Sequence, residues 1–202
     1  MTRALNKTTL KQTRDELKTY KKFLPSLDLK RQQLLAALKV ARAELAESDA
    51  AYTELEALVS RTYPLLGSST MRTRNLEKLI RVQEVEIVEE NLVGTRLPVA
   101  KAVRFTLAEY SRMVMPFWVD LLVDNLRKIA EQKILLQVRQ QRVRLLEHAA
   151  RRITQRVNLF EKVLIPQSEA GIRKIVIFLS DQERAAVVRS KIAKNKAGEK
   201  ER

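Results

Sequence analysis

The sequence predicts a mainly α-helical protein: a long antiparallel two-helix coiled coil, made by its N- and C-terminal helices, with a small central head that contains a short β-hairpin. Three observations predict it. Two long runs repeat their apolar residues every seven positions, the stretch between them switches towards alternation, and breakers are scarce, with four Gly and five Pro in 202 residues.

The first run is Leu10, Leu17, Leu24, Arg31, Leu38, Leu45, Tyr52, Val59 and Leu66, with Arg31 its one charged member. The half-steps Thr13, Tyr20, Leu27, Leu34, Ala41, Ser48, Leu55 and Thr62 are small or apolar. A lone amphipathic helix drifts off a strict seven-residue repeat after a few turns, so this stripe requires a partner helix. Thr8 or Thr9 can cap the helix, and Pro64 followed by Gly67-Ser68-Ser69 ends it near Tyr63. At 1.5 Å per residue it is a rod of roughly 80 Å. Pro25 removes one backbone donor, yet Leu24 and Leu27 keep the register across it, which predicts a kink rather than a stop.

Residues 70–80 read as a short helix with Leu76, Leu79 and Ile80 on one side. In Val82–Glu90 and Pro98–Phe105 the pattern approaches alternation, and Gly94 between them can take positive φ, so the segment reads as a hairpin. From Pro116 the second heptad series runs through Leu122, Ile129, Leu136, Val143, Ala150, Val157 and Leu164, with Trp118, Leu146, Ile153 and Phe160 on the half-steps. Asn125, Gln132 and Arg139 are polar half-steps that weaken the seam near the head. Pro166 disturbs this helix, and Ile172, Ile175 and Leu179 continue an apolar face shifted by one or two positions, with a last helical segment from Asp181 to about Ile192. The tail from Ala193 has almost nothing to bury and is expected to be disordered. The organisation is therefore an N-terminal helix over 1–66, a head over 67–115, a C-terminal helix over 116–192 and a basic tail over 193–202. Two long helices joined by a compact head pair most simply with each other. With Leu66 opposite Trp118, Leu38 falls near Leu146 and Leu10 near Lys174, so the two chain ends meet at one tip.

Charge follows the same division. The net charge is +15, of which residues 1–42 supply +8 and residues 151–202 supply +7, leaving the middle neutral. The basic tip has three readings: a solvated excess of charge, a nucleic-acid contact driven by counterion release, or a surface that fits a larger protein's socket. The chain lacks the aromatic interleaving of single-strand binders and any recognition-helix motif, which weakens the second. There is no cysteine, and a single His148, read as an exposed polar residue, cannot supply a multi-histidine metal cluster. The isolated glycines make no phosphate-binding loop, and neither G-x-S-x-G nor H-E-x-x-H occurs, so no catalysis and no cofactor are expected. Neither a signal-peptide core nor a run of about 18 apolar residues is present, which sets a cytosolic expectation. Glu84, Glu86, Glu89 and Glu90 could pass for paired carboxylates, but at strand spacing Glu84 and Glu86 share one face and read as a solvated one. Trp118 reads as a core plug at the head junction. Arg31 in a seam of leucines is either snorkelling and specifying register, or contacting an outside partner.

Three segments then carry a resemblance. Leu5-Asn6-Lys7-Thr8-Thr9-Leu10, with the later Leu27-Asp28-Leu29-Lys30-Arg31-Gln32-Gln33-Leu34-Leu35, is similar to L-K-x-K-R-x-x-L-L. Gly94-Thr95-Arg96-Leu97-Pro98 is like G-x-x-x-P, and Arg156-Val157-Asn158-Leu159-Phe160-Glu161-Lys162-Val163-Leu164-Ile165-Pro166 with Ile172 and Ile175 looks like R-x-N-x-L-E-x-x-x-I-P-x-x-x-x-x-I-x-x-I. In this order they resemble the D subunits, the central shafts, of the vacuolar/archaeal-type rotary ATPases in their bacterial form. Phe160 in place of Leu, Pro25-Ser26 and Gly171 depart from the pattern and bear on local straightness. The resemblance implies a non-catalytic shaft turning inside a hexamer of catalytic A and regulatory B subunits and seated, with an F subunit, on a funnel-like subunit over the membrane ring. It implies a peripheral location, one copy per complex, no nucleic acid and no insertion into the membrane. Charge and resemblance together nominate Lys7, Lys11, Lys30, Arg31, Glu84, Glu86, Gly94, Pro98, Arg156, Asn158, Glu161, Arg184 and Lys191 as partner contacts. Two other classes compete: the coiled-coil stalk of an export ATPase, which is not expected to carry a Gly94-to-Pro98 hairpin, and a basic coiled-coil nucleic-acid binder, whose affinity falls steeply with salt.

Overall fold

A computed structural model describes residues 4–67, 80–107 and 118–200. The elements are helix α1 (Lys7–Gly67), strands β1 (Ile80–Leu92) and β2 (Thr95–Leu107), helix α2 (Trp118–Leu159), a π-helical turn (Phe160–Leu164) and helix α3 (Ile165–Lys200). The chain is thus mainly α-helical with one β-hairpin. It divides into two units, one made of residues 1–31 with 152–202 and the other of residues 32–151.

Both heptad stripes are the buried stripes. Every expected seam position from Leu10 to Val59 and from Leu122 to Leu164 whose side chain is described is buried or half-buried, with Leu34, Ala41, Leu146, Ile153 and Val157 among the most enclosed. The pairing is antiparallel in each unit. In the first, Lys7 meets Glu183 and Lys21 meets Glu169, and the Thr13 methyl is 4.0 Å from where a Cβ on Gly171 would stand. In the second, Arg42 meets Glu147 while Arg139 reaches Glu44 and Ser48. Thr13 opposite Gly171 is the register that the placement of Leu10 near Lys174 requires.

The element ends differ from the sequence expectation in four places. Asn6, not Thr8 or Thr9, caps α1: its Oδ1 accepts the Thr9 backbone N–H at 2.7 Å, satisfying one of the orphan donors of the first turn. α1 continues past Pro64 to Gly67, rather than ending near Tyr63, and as expected it is not stopped at Pro25. α3 runs to Lys200, so residues 193–200 are helical rather than disordered; the stretch contains no proline, and the helix propagates from Ala193 through the one weak helix former Gly198. Ile80, expected to end a short helix, opens β1. The rest of that expected helix, residues 70–79, and the Trp118 plug lie outside the described residues and side chains.

The π turn explains the shifted apolar face. Pro166 has no N–H, and in an α-helix its ring would crowd the carbonyl of Lys162. Instead the Ile165 N–H bonds back to the Phe160 carbonyl, five residues away, which inserts one extra residue. The seam therefore resumes at Ser168, Ile172, Ile175 and Leu179, all buried or half-buried. Beside this turn the Tyr20 and Phe160 rings pack edge-to-face with centroids 5.3 Å apart.

The hairpin is longer than the alternation alone indicates. Its two-residue loop is Val93-Gly94, with φ of 52° and 81°, and the Gly94 N–H bonds to Asn91 Oδ1 at 3.0 Å. Two positive φ values in a row match the mirror-image turn that suits a right-twisted hairpin. Glycine takes such a φ freely, but a β-branched valine does not. Val93→Asn is therefore expected to stabilise the hairpin by roughly 1 kcal/mol, seen as slower amide exchange in residues 85–103. A register shift on each side of Glu84–Glu86 leaves Gln83 unpaired on β1 and Lys101 unpaired on β2. The bulge at Lys101 interrupts the simple alternation of Val99, Lys101, Val103 and Phe105.

Candidate partner-binding surfaces

The nominated residues fall into two groups, one in each unit. The unit of residues 1–31 and 152–202 holds Lys7, Lys11, Lys30, Arg31, Arg156, Asn158, Glu161, Arg184 and Lys191. Lys7 and Arg184 are largely exposed, although Lys7 lies 3.7 Å from Glu183 and Arg184 lies 4.0 Å from Asp181. Lys11 and Lys191 are exposed on α1 and α3. Lys30 and Arg31 are half-buried, and Arg31 turns along its own helix to Asp28, 2.5 Å away, so its seam position is filled by a neutralised, snorkelling arginine. Arg156 and Glu161 are exposed and Asn158 half-buried, all within a few residues of the π turn or inside it.

The unit of residues 32–151 holds the hairpin residues Glu84, Glu86, Gly94 and Pro98. Here the acidic strand is not a bare acidic face. Glu84 is 3.4 Å from Arg104, Glu86 is 3.3 Å from Lys101, Glu89 is 3.7 Å from Arg96 and Glu90 is 3.0 Å from Arg142. Exposed pairs of this kind add little to stability, but they cancel the charge that β1 alone displays. What β1 leaves uncovered is apolar: Val82, Ile87 and Val88 are each about half exposed, as is Leu107 on β2.

The hairpin seats against α2. Leu97 is fully buried, and the Arg127 guanidinium lies 5.8 Å from the Phe105 ring centroid. Pro98, Val99 and Ala100 face Leu135, Val138, Arg139 and Arg142 across a cleft of about 180 Å³ that also touches Glu44. Pro98 is thus half-buried within this seat rather than displayed, while Gly94 sits at the exposed loop. Phe105 beside Arg127 and Pro98 beside Arg139 set β2 antiparallel to α2. Sequence reasoning missed Arg127, Arg139 and Arg142, and treated Arg139 only as a weak point of the seam. The one available signal was their spacing on α2, with Arg139 and Arg142 one turn apart.

Cross-helix ion pairs set the electrostatics. The Glu147 carboxyl is held below its ordinary value of 4.5, chiefly by the hydrogen bond from Arg42; partial desolvation opposes this, and the charges of Arg42 and Arg151 add to it. The Glu169 carboxyl is likewise lowered, by the hydrogen bond and then the charge of Lys21. A carboxyl whose folded pKa is depressed stabilises the fold above its unfolded pKa and loses that contribution as pH falls through the folded value. Thermal midpoints are therefore expected to be insensitive to these groups from neutral pH down to about 5 and to fall below about 4.5. A Glu147→Gln, Glu169→Gln double variant should show a shallower acid limb.

Among the described residues, no group of three or more His, Asp or Glu could hold a metal ion, and no helix is long and apolar enough to cross a membrane. Comparison with known proteins gives one consistent result. Residues 9–195 match the family of the ATP synthase D subunit. The chain is 33% identical over 198 residues to the V-type ATP synthase D subunit of Borreliella burgdorferi, covering 98% of this chain and 96% of that one. It is 35% identical over 192 residues to the V-type ATP synthase D subunit of Chlamydia muridarum, covering 95% and 94%. A relative of the same name from Chlamydia pneumoniae is 31% identical over 194 residues, covering 95% and 91%. Sequence likeness over nearly the full length thus coincides with the paired helices and the hairpin, and the chain belongs to the ATP synthase D-subunit family.

Proposed function

We propose that this chain is the central stalk of a V-type proton- or sodium-translocating ATPase or ATP synthase, a rotor shaft that transmits torque between the catalytic hexamer and the membrane ring. The observation that carries the reading is the antiparallel seam that brings the two basic chain ends together, in a chain related over nearly its whole length to V-type ATP synthase D subunits. In this reading the chain performs no chemistry and holds no cofactor. Its partners are the A and B subunits, the F subunit and the funnel subunit of the ring, and it is held at the cytoplasmic side of the membrane through the complex.

Lys7, Lys11, Arg184 and Lys191 are the contacts proposed for the hexamer. They are exposed ends of long side chains, so their pull is long-ranged and shallow, which suits a shaft that must turn past successive subunits without a deep sticking point. Lys30, Arg31, Arg156, Asn158 and Glu161 are proposed to meet partners further along the same paired stretch. The hairpin, with Glu84, Glu86, Gly94 and Pro98, is proposed to meet the F and funnel subunits, its half-exposed Val82, Ile87 and Val88 supplying the apolar area.

A tagged chain purified from native membranes should bring A, B and F subunits with it; recovery with nucleic acid and none of these subunits would refute the assignment. In the reconstituted complex, deleting residues 1–20 and 181–202 should preserve F binding but lower ATP-driven ion pumping several-fold. Unchanged pumping would show that the basic ends have no coupling role.

A further inference from the structure

Heptad repeats are self-similar. Sliding one helix past the other by seven residues, about 10 Å, sets leucines on leucines again, so apolar burial alone does not fix the register. In the unit of residues 32–151, Arg139 of α2 donates to the Glu44 backbone carbonyl at 3.0 Å and to the Ser48 hydroxyl. Ser48 is 2% exposed, so its hydroxyl is shielded from water, while Arg139 itself is half-buried. The two acceptors lie one turn apart on a single face of α1. After a slip of one heptad a backbone carbonyl would still be present, but the Ser48 hydroxyl would be replaced by the methyl of Ala41 or the side chain of Leu55. The guanidinium would then lose its hydroxyl acceptor and lie against apolar surface, which is unfavourable.

One turn further, Arg142 binds the hairpin through Glu90, and its buried Nε has no partner among the described residues. Both arginines line the cleft that holds Pro98, Val99 and Ala100. We propose that Arg139 is the register clamp of this helix pair and that Arg142 ties the hairpin to the same turn, so that α1, α2 and the hairpin keep one relative alignment. The proposal concerns the isolated chain and does not depend on the functional assignment.

The absence of cysteine makes the test clean, because introduced pairs can be spin-labelled without background. Labels at the exposed positions 46 and 141 report α1 against α2, and labels at the exposed positions 89 and 144 report the hairpin against α2. In the full chain, double electron–electron resonance should find one narrow distance for each pair. Arg139→Leu should leave the melting temperature unchanged or raised, since a hydrophobe replaces a half-buried charge in an apolar seam. It should also add a second 46/141 population, displaced by about one heptad and several-fold above its level in the unsubstituted chain. Ser48→Ala should do the same more weakly, and Arg142→Leu should broaden the 89/144 distance alone. A single unchanged 46/141 distance in both Arg139→Leu and Ser48→Ala overturns the clamp. Loss of helical signal in Arg139→Leu also overturns it, because the arginine would then be a folding element rather than a selector of register.

Discussion

Leu146→Ala should lower the free energy of unfolding by about 2–3 kcal/mol, the lower part of the range for a buried leucine. Leu146 is fully buried in the seam of α2, whereas its neighbour Leu145 is 37% exposed on the outer side. Truncation at 146 removes methylenes from a closed layer and leaves a cavity. A seam one helix pair thick collapses or hydrates more readily than the middle of a globular core, which keeps the cost below the upper limit of about 5 kcal/mol. Leu145→Ala, by contrast, should change stability by no more than about 0.5 kcal/mol. Urea unfolding followed by helical circular dichroism compares the two directly. Equal losses would mean that α2 buries a different face, and the antiparallel pairing derived from the heptads would be wrong.

Replacing residues 85–103 with a short Gly-Ser turn should keep the helical signal near its original level while abolishing most of the assembled complex's ATPase activity or its docking to the membrane sector. The seams from Leu10 to Val59 and from Leu122 to Leu164 do not run through the hairpin, and a two-stranded hairpin alone is marginal in water. The exchange does remove buried Leu97 and uncovers Leu135 and Val138, so a lower melting temperature is expected alongside the functional loss. Circular dichroism, thermal melting and ATPase assays on the reconstituted complex separate the two effects. Normal activity and docking with a collapsed helical signal would make the hairpin a folding element only.

The parts of the fold that were legible in the sequence are those set by periodicity. A seven-residue repeat states which face of a helix is buried, and the positions of two such repeats about a central hairpin state their pairing, which is why Leu10 could be placed near Lys174, the register in which Thr13 meets Gly171. Features set by local backbone hydrogen bonding were less legible. Asn6 outcompeted two threonines for the cap, and Pro166 signalled a disturbance without specifying a π turn. Pro25 did not stop α1, as the register across it indicated, but Pro64, expected to end it, did not stop it either. The partner surface was the least legible part. Glu84, Glu86, Glu89 and Glu90 look like an acidic strand in one dimension, but Arg104 and Lys101 reach Glu84 and Glu86 in a register set by two bulges, and Glu90 is met by Arg142 from α2, none of which a pattern in β1 alone encodes. Arg139 looked like a flaw in an apolar series because its acceptors, a backbone carbonyl and a serine, lie on the other helix about ninety positions away.

The π turn also bears on how tightly the helices wind. From Leu164 through Ser168 and Ile172 to Ile175 the seam advances by four, four and three residues, a single eleven-residue step, while α1 from Leu10 to Leu24 keeps strict sevens. Sevens favour a left-handed supercoil and elevens a right-handed one. A single step of this kind acts as a stutter, so the left-handed winding that the sevens of α1 favour is expected to relax beside the π turn, and the paired stretch that contains both chain ends should be locally straighter there.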